Sequence, residues 1–149
     1  MKGLAIKITS SGFNSPAQIM QKHLRQQNTS GFVYFSTDLA IDVDKSNEID
    51  HVLFFNGRQQ IFFLGDVEKI LVNKKKKIRS TDENAFVPTD SALYSVPEYA
   101  NERKRSWILI KNLRPVAQSQ MNGWTTLNEN IPVSSKIATP SRFTRFYFQ

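Results

Sequence analysis

His51-Val52-Leu53-Phe54-Phe55-Asn56-Gly57-Arg58-Gln59-Gln60-Ile61-Phe62-Phe63-Leu64 is the stretch on which the fold turns. Two apolar runs of strand length flank Asn56-Gly57, a dipeptide that favours the left-handed dihedrals of a tight hairpin turn. The run from Val67 to Val72 then extends the sheet past Gly65.

Working outward, Leu4, Ile6 and Ile8 alternate with Ala5, Lys7 and Thr9, the period-two pattern of a half-buried strand. Ser15-Pro16-Ala17-Gln18 supplies an N-cap serine, a proline preset for the first helical position and a glutamine able to close a capping box. The helix it starts carries Ile19, Met20, His23 and Leu24 on one side and is expected to end before Asn28 to Gly31. Gly31 to Phe35 reads as a strand, separated from His51 by an acidic loop. Trp107-Ile108-Leu109-Ile110 is too short for a helix and reads as a buried strand, closed by Pro115. In Phe143-Thr144-Arg145-Phe146-Tyr147-Phe148 the alternation puts Phe143, Arg145 and Tyr147 on one face. From Asn73 to Ser106 the chain is polar, with Pro88 and Pro97 and no sustained period, which predicts a long mobile excursion. Strands dominate over one or two helices, so the class is α+β, a curled sheet or open barrel in a single domain spanning 1–149.

The 149 residues carry a formal charge of +7 and no cysteine. Disulfide frameworks, thiolate zinc sites and cysteine nucleophiles are therefore excluded. Lys7 interrupts the apolar start, which lacks the continuous run of a signal peptide or membrane span. The expected setting is cytoplasmic or nuclear, away from membranes. Charge is uneven: residues 38–50 hold Asp38, Asp42, Asp44, Glu48 and Asp50 against Lys45, a local −4 that leaves +11 elsewhere. Basic residues gather at Lys74 to Lys77 with Arg79, at Arg103 to Arg105, and at Arg142 and Arg145. A surface of this sign attracts polyanions by releasing their counterions.

Catalytic patterns are sparse. His23 reads as a helix-face residue, and Asp50-His51 are poor dyad partners because successive residues of an extended segment face opposite ways. Phosphate loops, nucleophile elbows and metal-binding histidine pairs are missing from the sequence. Asp90 with Glu102-Arg103-Lys104 is similar to the Asp and Glu-x-Lys set of Mg²⁺-dependent nucleases, in a charged loop rather than a strand. The expectation is a binding module, not an enzyme, with no cofactor or metal.

Several strings in order resemble the YTH domain, a branch of the PUA-like and EVE-like superfamily of nucleic-acid readers. Ala5-Ile6-Lys7 resembles the family's opening strand, and Tyr34-Phe35-Ser36-Thr37 its aromatic residue before Ser-Thr. Gly65-Asp66-Val67-Glu68 follows the hairpin as Gly-x-Ala-Glu does in the family. Trp107-Ile108-Leu109-Ile110-Lys111-Asn112 is similar to Trp-Ile-Phe-Val-Lys-Asp, Asn128-Glu129-Asn130-Ile131-Pro132-Val133-Ser134 to Asn-Glu-Asn-x-Pro-Val-Thr, and Ser141-Arg142 to a closing Ser-Arg-Asp.

The resemblance implies a PUA-like fold that binds single-stranded RNA and flips one base, typically N6-methyladenine, into an aromatic cage. Tyr34 or Phe35 then takes the place of the first cage tryptophan, the other being core, and Ser11 and Asn14 touch the base edge. Lys7 and Arg142 correspond to phosphate contacts, with Arg145 beside them, and Trp124 is a stacking platform or a lid over the core. The family's second cage tryptophan has no counterpart between Asn73 and Ser106, where Phe86, Tyr94 and Tyr99 are the aromatic substitutes. Phe143 replaces the closing aspartate. Alternatives are a reader of modified DNA of a restriction-type system, the nuclease, and a protein partner engaged through residues 38–50 or 73–106.

Overall fold

The computed structural model describes residues 1–73, 84–138 and 144–149. The run Lys74 to Lys77, Arg79, Ser141, Arg142 and Phe143 lie outside them. In chain order the elements are β1 (Gly3–Lys7), α1 (Pro16–Ser30), β2 (Val33–Thr37), a single turn α2 (Val43–Ser46), β3 (His51–Asn56), β4 (Ile61–Val72), a single turn α3 (Ser91–Tyr94), β5 (Ser106–Pro115), α4 (Val133–Ile137) and β6 (Arg145–Phe148), with 3-10 turns at Pro97–Tyr99 and Gln118–Met121.

The expected hairpin pairs Asn56 with Ile61, so its loop is the four residues 57–60. The left-handed dihedrals expected of a tight turn at Asn56-Gly57 are therefore corrected, since neither residue has a positive φ. Gln60, with φ 55°, supplies the left-handed residue. Asn56 is committed elsewhere: its Nδ2 donates to the Ile8 carbonyl at 2.9 Å and its Oδ1 accepts from the Gln59 amide at 3.0 Å. Gly57 serves close approach, because a Cβ there would collide with the Ile137 carbonyl of α4.

Six strands form one mixed sheet in the order β2-β5-β4-β3-β1-β6, with β2 and β6 as its edges and no closure into a barrel. Every pairing is antiparallel except β1 with β3. The architecture is α+β. Register shifts between Leu64 and Asp66 and between Val67 and Lys69 place an extra residue first in β5 and then in β4, so that Phe63 to Val72 still pairs along the whole of β5, and such bulges add local twist.

Alternation decides what each face holds. Leu4, Ile6, Val52, Phe54, Ile108 and Ile110 pack on one face under Ile19 and Met20 of α1. Ala5, Leu53, Phe55, Phe62, Phe146 and Phe148 pack on the other beneath Val133 and Ile137 of α4. Fully burying each large apolar side chain stabilises the fold by about 1.5–3 kcal/mol, so this two-sided burial is the main driving force. The foreseen capping box closes α1, with Ser15 and Gln18 exchanging bonds. The helix runs three residues further than expected, through Asn28 to Ser30, and stops at Gly31 with φ 84°.

The segment before β5 departs from its expected excursion over residues 84–105. Ala85, Ser91, Ser95, Val96 and Ala100 are buried, and Ser91 Oγ donates to the Ala100 carbonyl at 2.7 Å. Small side chains with internal hydrogen bonds pack without leaving an apolar period. The acidic loop is likewise tied down. Lys2 meets Glu48 at 3.1 Å, Asp42 caps α2, and Ile41 and Ile49 are buried. Asp50 and His51 do touch, Nδ1 to Oδ1 at 2.7 Å, and His51 Nε2 reaches Asp66 at 3.3 Å. Asp50 precedes the strand, so the alternation that was to part the pair does not apply to it.

Candidate functional site

The loop between β1 and α1 folds back on itself through two backbone bonds joining Ser11 and Asn14, at 2.9 and 3.0 Å. Gly12, at φ 58°, makes that turn possible and leaves Phe13 fully exposed at its tip. After the cap at Ser15, Ile19 and His23 lie one helical turn apart and face the sheet. On β2, Phe35 points to the same side. Its ring centroid is 4.6 Å from that of Phe54 and 5.4 Å from that of His23. The Pro97–Tyr99 turn then brings Tyr99 over His23, the rings stacked at 6.0 Å.

These elements enclose a cavity of about 320 Å³, bordered by Lys7, Ser11, His23, Phe35, Tyr99 and Lys104. That is the lower end of ligand-sized pockets, which run from about 300 to 1,000 Å³. Its rim is braced by Asn14, whose Nδ2 donates to Glu98 and to the Tyr99 hydroxyl, each at 2.9 Å, while its Oδ1 accepts from Lys22 Nζ at 2.9 Å. Lys22 also pairs with Glu98. The Lys22 ammonium, followed by the Asn14 amide, holds the Glu98 carboxyl below its ordinary range. Burial pushes the Tyr99 phenol up and brings the His23 imidazole down to about 4. His23 is thus neutral at pH 7. Lys7 and Lys104 are balanced by Asp38 and Glu102 on the same walls, so the cavity suits a neutral aromatic group better than a phosphate.

Four of the anticipated residues converge here: Lys7, Ser11 and Phe35 on the walls and Asn14 at the rim. Tyr34 does not. It is buried on the opposite face, its hydroxyl donating to Asp90 at 2.8 Å and its ring edge-on to Trp107 at 5.7 Å. Strand alternation separates it from Phe35. Trp124 stacks on Phe148 at 5.4 Å and packs against the second core, outside the cavity lining. Arg145 is exposed opposite Ile6 and borders a different hollow with Lys45 and Tyr147. The expected phosphate contact at Arg142 lies outside the described residues.

Of the three aromatic substitutes, Tyr99 reaches the cavity, whereas Phe86 and Tyr94 pack with Tyr34 and Trp107. Trp107 is core, its Nε1 donating to the Phe86 carbonyl at 2.9 Å. The residues of the nuclease-like set are paired as follows. Asp90 binds Tyr34 and Lys69, and Lys104 lies between Asp38 at 3.4 Å and Glu102 at 3.9 Å. Among the described residues no three His, Asp or Glu side chains gather as metal ligands, and no helix is long and apolar enough to cross a membrane.

Sequence reasoning passed over Lys22, Glu98 and Phe13 and read His23 only as a helix-face residue. The signal for His23 was present, as an imidazole in the apolar stripe of a well-capped helix. Lys22 and Glu98 meet only through tertiary folding, 76 residues apart. Compared with protein-family models, curated proteins and solved structures, the chain matches none.

Proposed function

We propose that this chain is a reader of single-stranded RNA, related to the PUA-like YTH domains, that takes one base out of the strand and holds it among Phe35, His23 and Tyr99. The observation that carries the proposal is the cavity itself: base-sized, walled by three rings and balanced in charge. Stacking of a base on aromatic side chains contributes about 1–3 kcal/mol per base. Phe13, exposed at the tip of the loop that carries Ser11, offers a second stacking surface for the neighbouring nucleotide. The overall +7 charge supplies the long-range attraction that the balanced cavity does not.

Fluorescence anisotropy with labelled nine-nucleotide RNAs, with and without one N6-methyladenine, across 50–300 mM salt tests this. Binding that weakens log-linearly with salt is expected, and it should fall about tenfold or more in Phe35→Leu, which loses the stacking face. Absence of RNA binding at 150 mM salt would sink the proposal. Equal affinity for the two RNAs would remove base modification from it, and equal binding of the matching DNA would favour the modified-DNA reading over RNA, since an RNA reader depends on the 2′-hydroxyl.

A further inference from the structure

His23 is the one buried polar side chain bordering the cavity among the described residues, 3% exposed. Its hydrogen bonding is half complete. Nδ1 lies 2.6 Å from the Ile19 carbonyl, and a carbonyl only accepts, so Nδ1 carries the proton. The neutral ring then presents Nε2 as a lone-pair acceptor. No hydrogen bond or ion pair among the described residues engages that nitrogen, and it is not among the sealed polar atoms lacking a partner, Asn84 Oδ1 and Arg105 Nε. Nε2 therefore opens onto space, and the space the ring borders is the cavity. Phe35 and Tyr99 fix the ring from two sides, and the i to i−4 bond to Ile19 fixes its tautomer.

We propose that Nε2 of His23 determines specificity by accepting an N–H from the edge of the bound base, so that the site requires an amino-bearing base with at least one hydrogen left on that nitrogen. The inference rests on the RNA-reading function above and adds its selection rule. A fixed acceptor discriminates through the cost of being left unpaired, since a ligand without the donor shuts solvent away from Nε2 and returns no hydrogen bond. Adenine carries two such hydrogens on N6 and N6-methyladenine one. N6,N6-dimethyladenine carries none, and its two methyl groups cover the nitrogen.

The test uses the full chain and three nine-nucleotide RNAs, each a single central purine with four uridines on either side, the purine being adenine, N6-methyladenine or N6,N6-dimethyladenine. Affinity is measured by anisotropy, and the state of Nε2 by ¹⁵N NMR of the His23 ring in the unmodified protein, which needs no variant to fold. Adenine and N6-methyladenine RNAs should bind and shift the Nε2 resonance as an accepted hydrogen bond does. The dimethylated RNA should bind about tenfold or more weakly and leave that resonance in place. His23→Phe, which keeps a ring between Phe35 and Tyr99, should bind the methylated and dimethylated RNAs alike. Equal binding of those two by the unmodified protein, or binding with Nε2 unmoved, overturns the inference and leaves the RNA-reading function standing. Failure of all three RNAs to bind overturns both.

Discussion

Acidification from pH 7 to 4.5 bears on the fold through the same imidazole. In an unfolded chain His23 titrates near 6.5, and burial in the folded protein brings it down to about 4. The proton is therefore held more tightly by the unfolded chain. Stability from this residue is fully present above about pH 6.5 and is lost as pH falls through the folded value near 4. Each unit of separation corresponds to about 1.4 kcal/mol, so the loss reaches roughly 2 kcal/mol by pH 4.5, out of about 3 kcal/mol in all. That is a large share of the roughly 5–15 kcal/mol typical of a domain. The groups facing the ring are Glu98, which raises its pKa slightly, with Lys22 and Tyr99 beside Glu98. Urea unfolding followed by tryptophan fluorescence at pH 7.0, 5.5 and 4.5, in the parent and in His23→Phe, isolates the effect. Asp50, Asp66 and Glu98 titrate in both proteins and largely cancel in the difference. The parent should lose about 2 kcal/mol more than the variant between pH 7 and 4.5. Identical pH dependence in the two, or an NMR titration placing His23 near 6.5, would refute the reasoning.

Tyr34→Phe should cost about 1–2 kcal/mol in urea unfolding, from the lost bond to Asp90, and leave RNA affinity unchanged. A drop in affinity with unchanged stability would show that Tyr34 belongs to the site after all. Gly57→Ala should destabilise by about 1–3 kcal/mol or more, since its Cβ meets the Ile137 backbone and not a movable side chain; an unchanged Tm contradicts that packing. Phe13→Ala should leave Tm within about a degree or two, the side chain being fully exposed, while weakening RNA binding by about 1–3 kcal/mol through lost stacking. Unchanged binding would remove Phe13 from the interface.

Local features were legible wherever chemistry and period coincide within a few residues. The hairpin strands, the alternating β1 and the Ser15 to Gln18 cap could all be seen in sequence because each is a short-range arrangement. The turn at Asn56-Gly57 was misjudged because both residues answer to distant partners, Ile8 and Ile137. Strand order was beyond reach for the same reason: β2 finds β5, and β1 finds both β3 and β6, across long intervals of chain. At the cavity, alternation foresaw that Tyr34 and Phe35 must part, yet only the β2 register decides which ring goes where. Tyr99 and Glu98 sit in an aperiodic stretch, and their meeting with Asn14 and Lys22 is a tertiary event that no local pattern announces.

The place of β1 in the sheet also shapes how the molecule must assemble. Ile6 pairs with Phe54 on one side and with Arg145 on the other, so β1 is flanked by two strands that come much later in the chain. Closing so long an interval is slow, which places folding toward the millisecond-to-second end for a domain of this size. Until β6 docks, β1 presents a bare edge of amides and carbonyls to any extended chain nearby, an invitation to mispair with a neighbour. Loss of β6 should therefore do more harm through aggregation than through the few side chains removed.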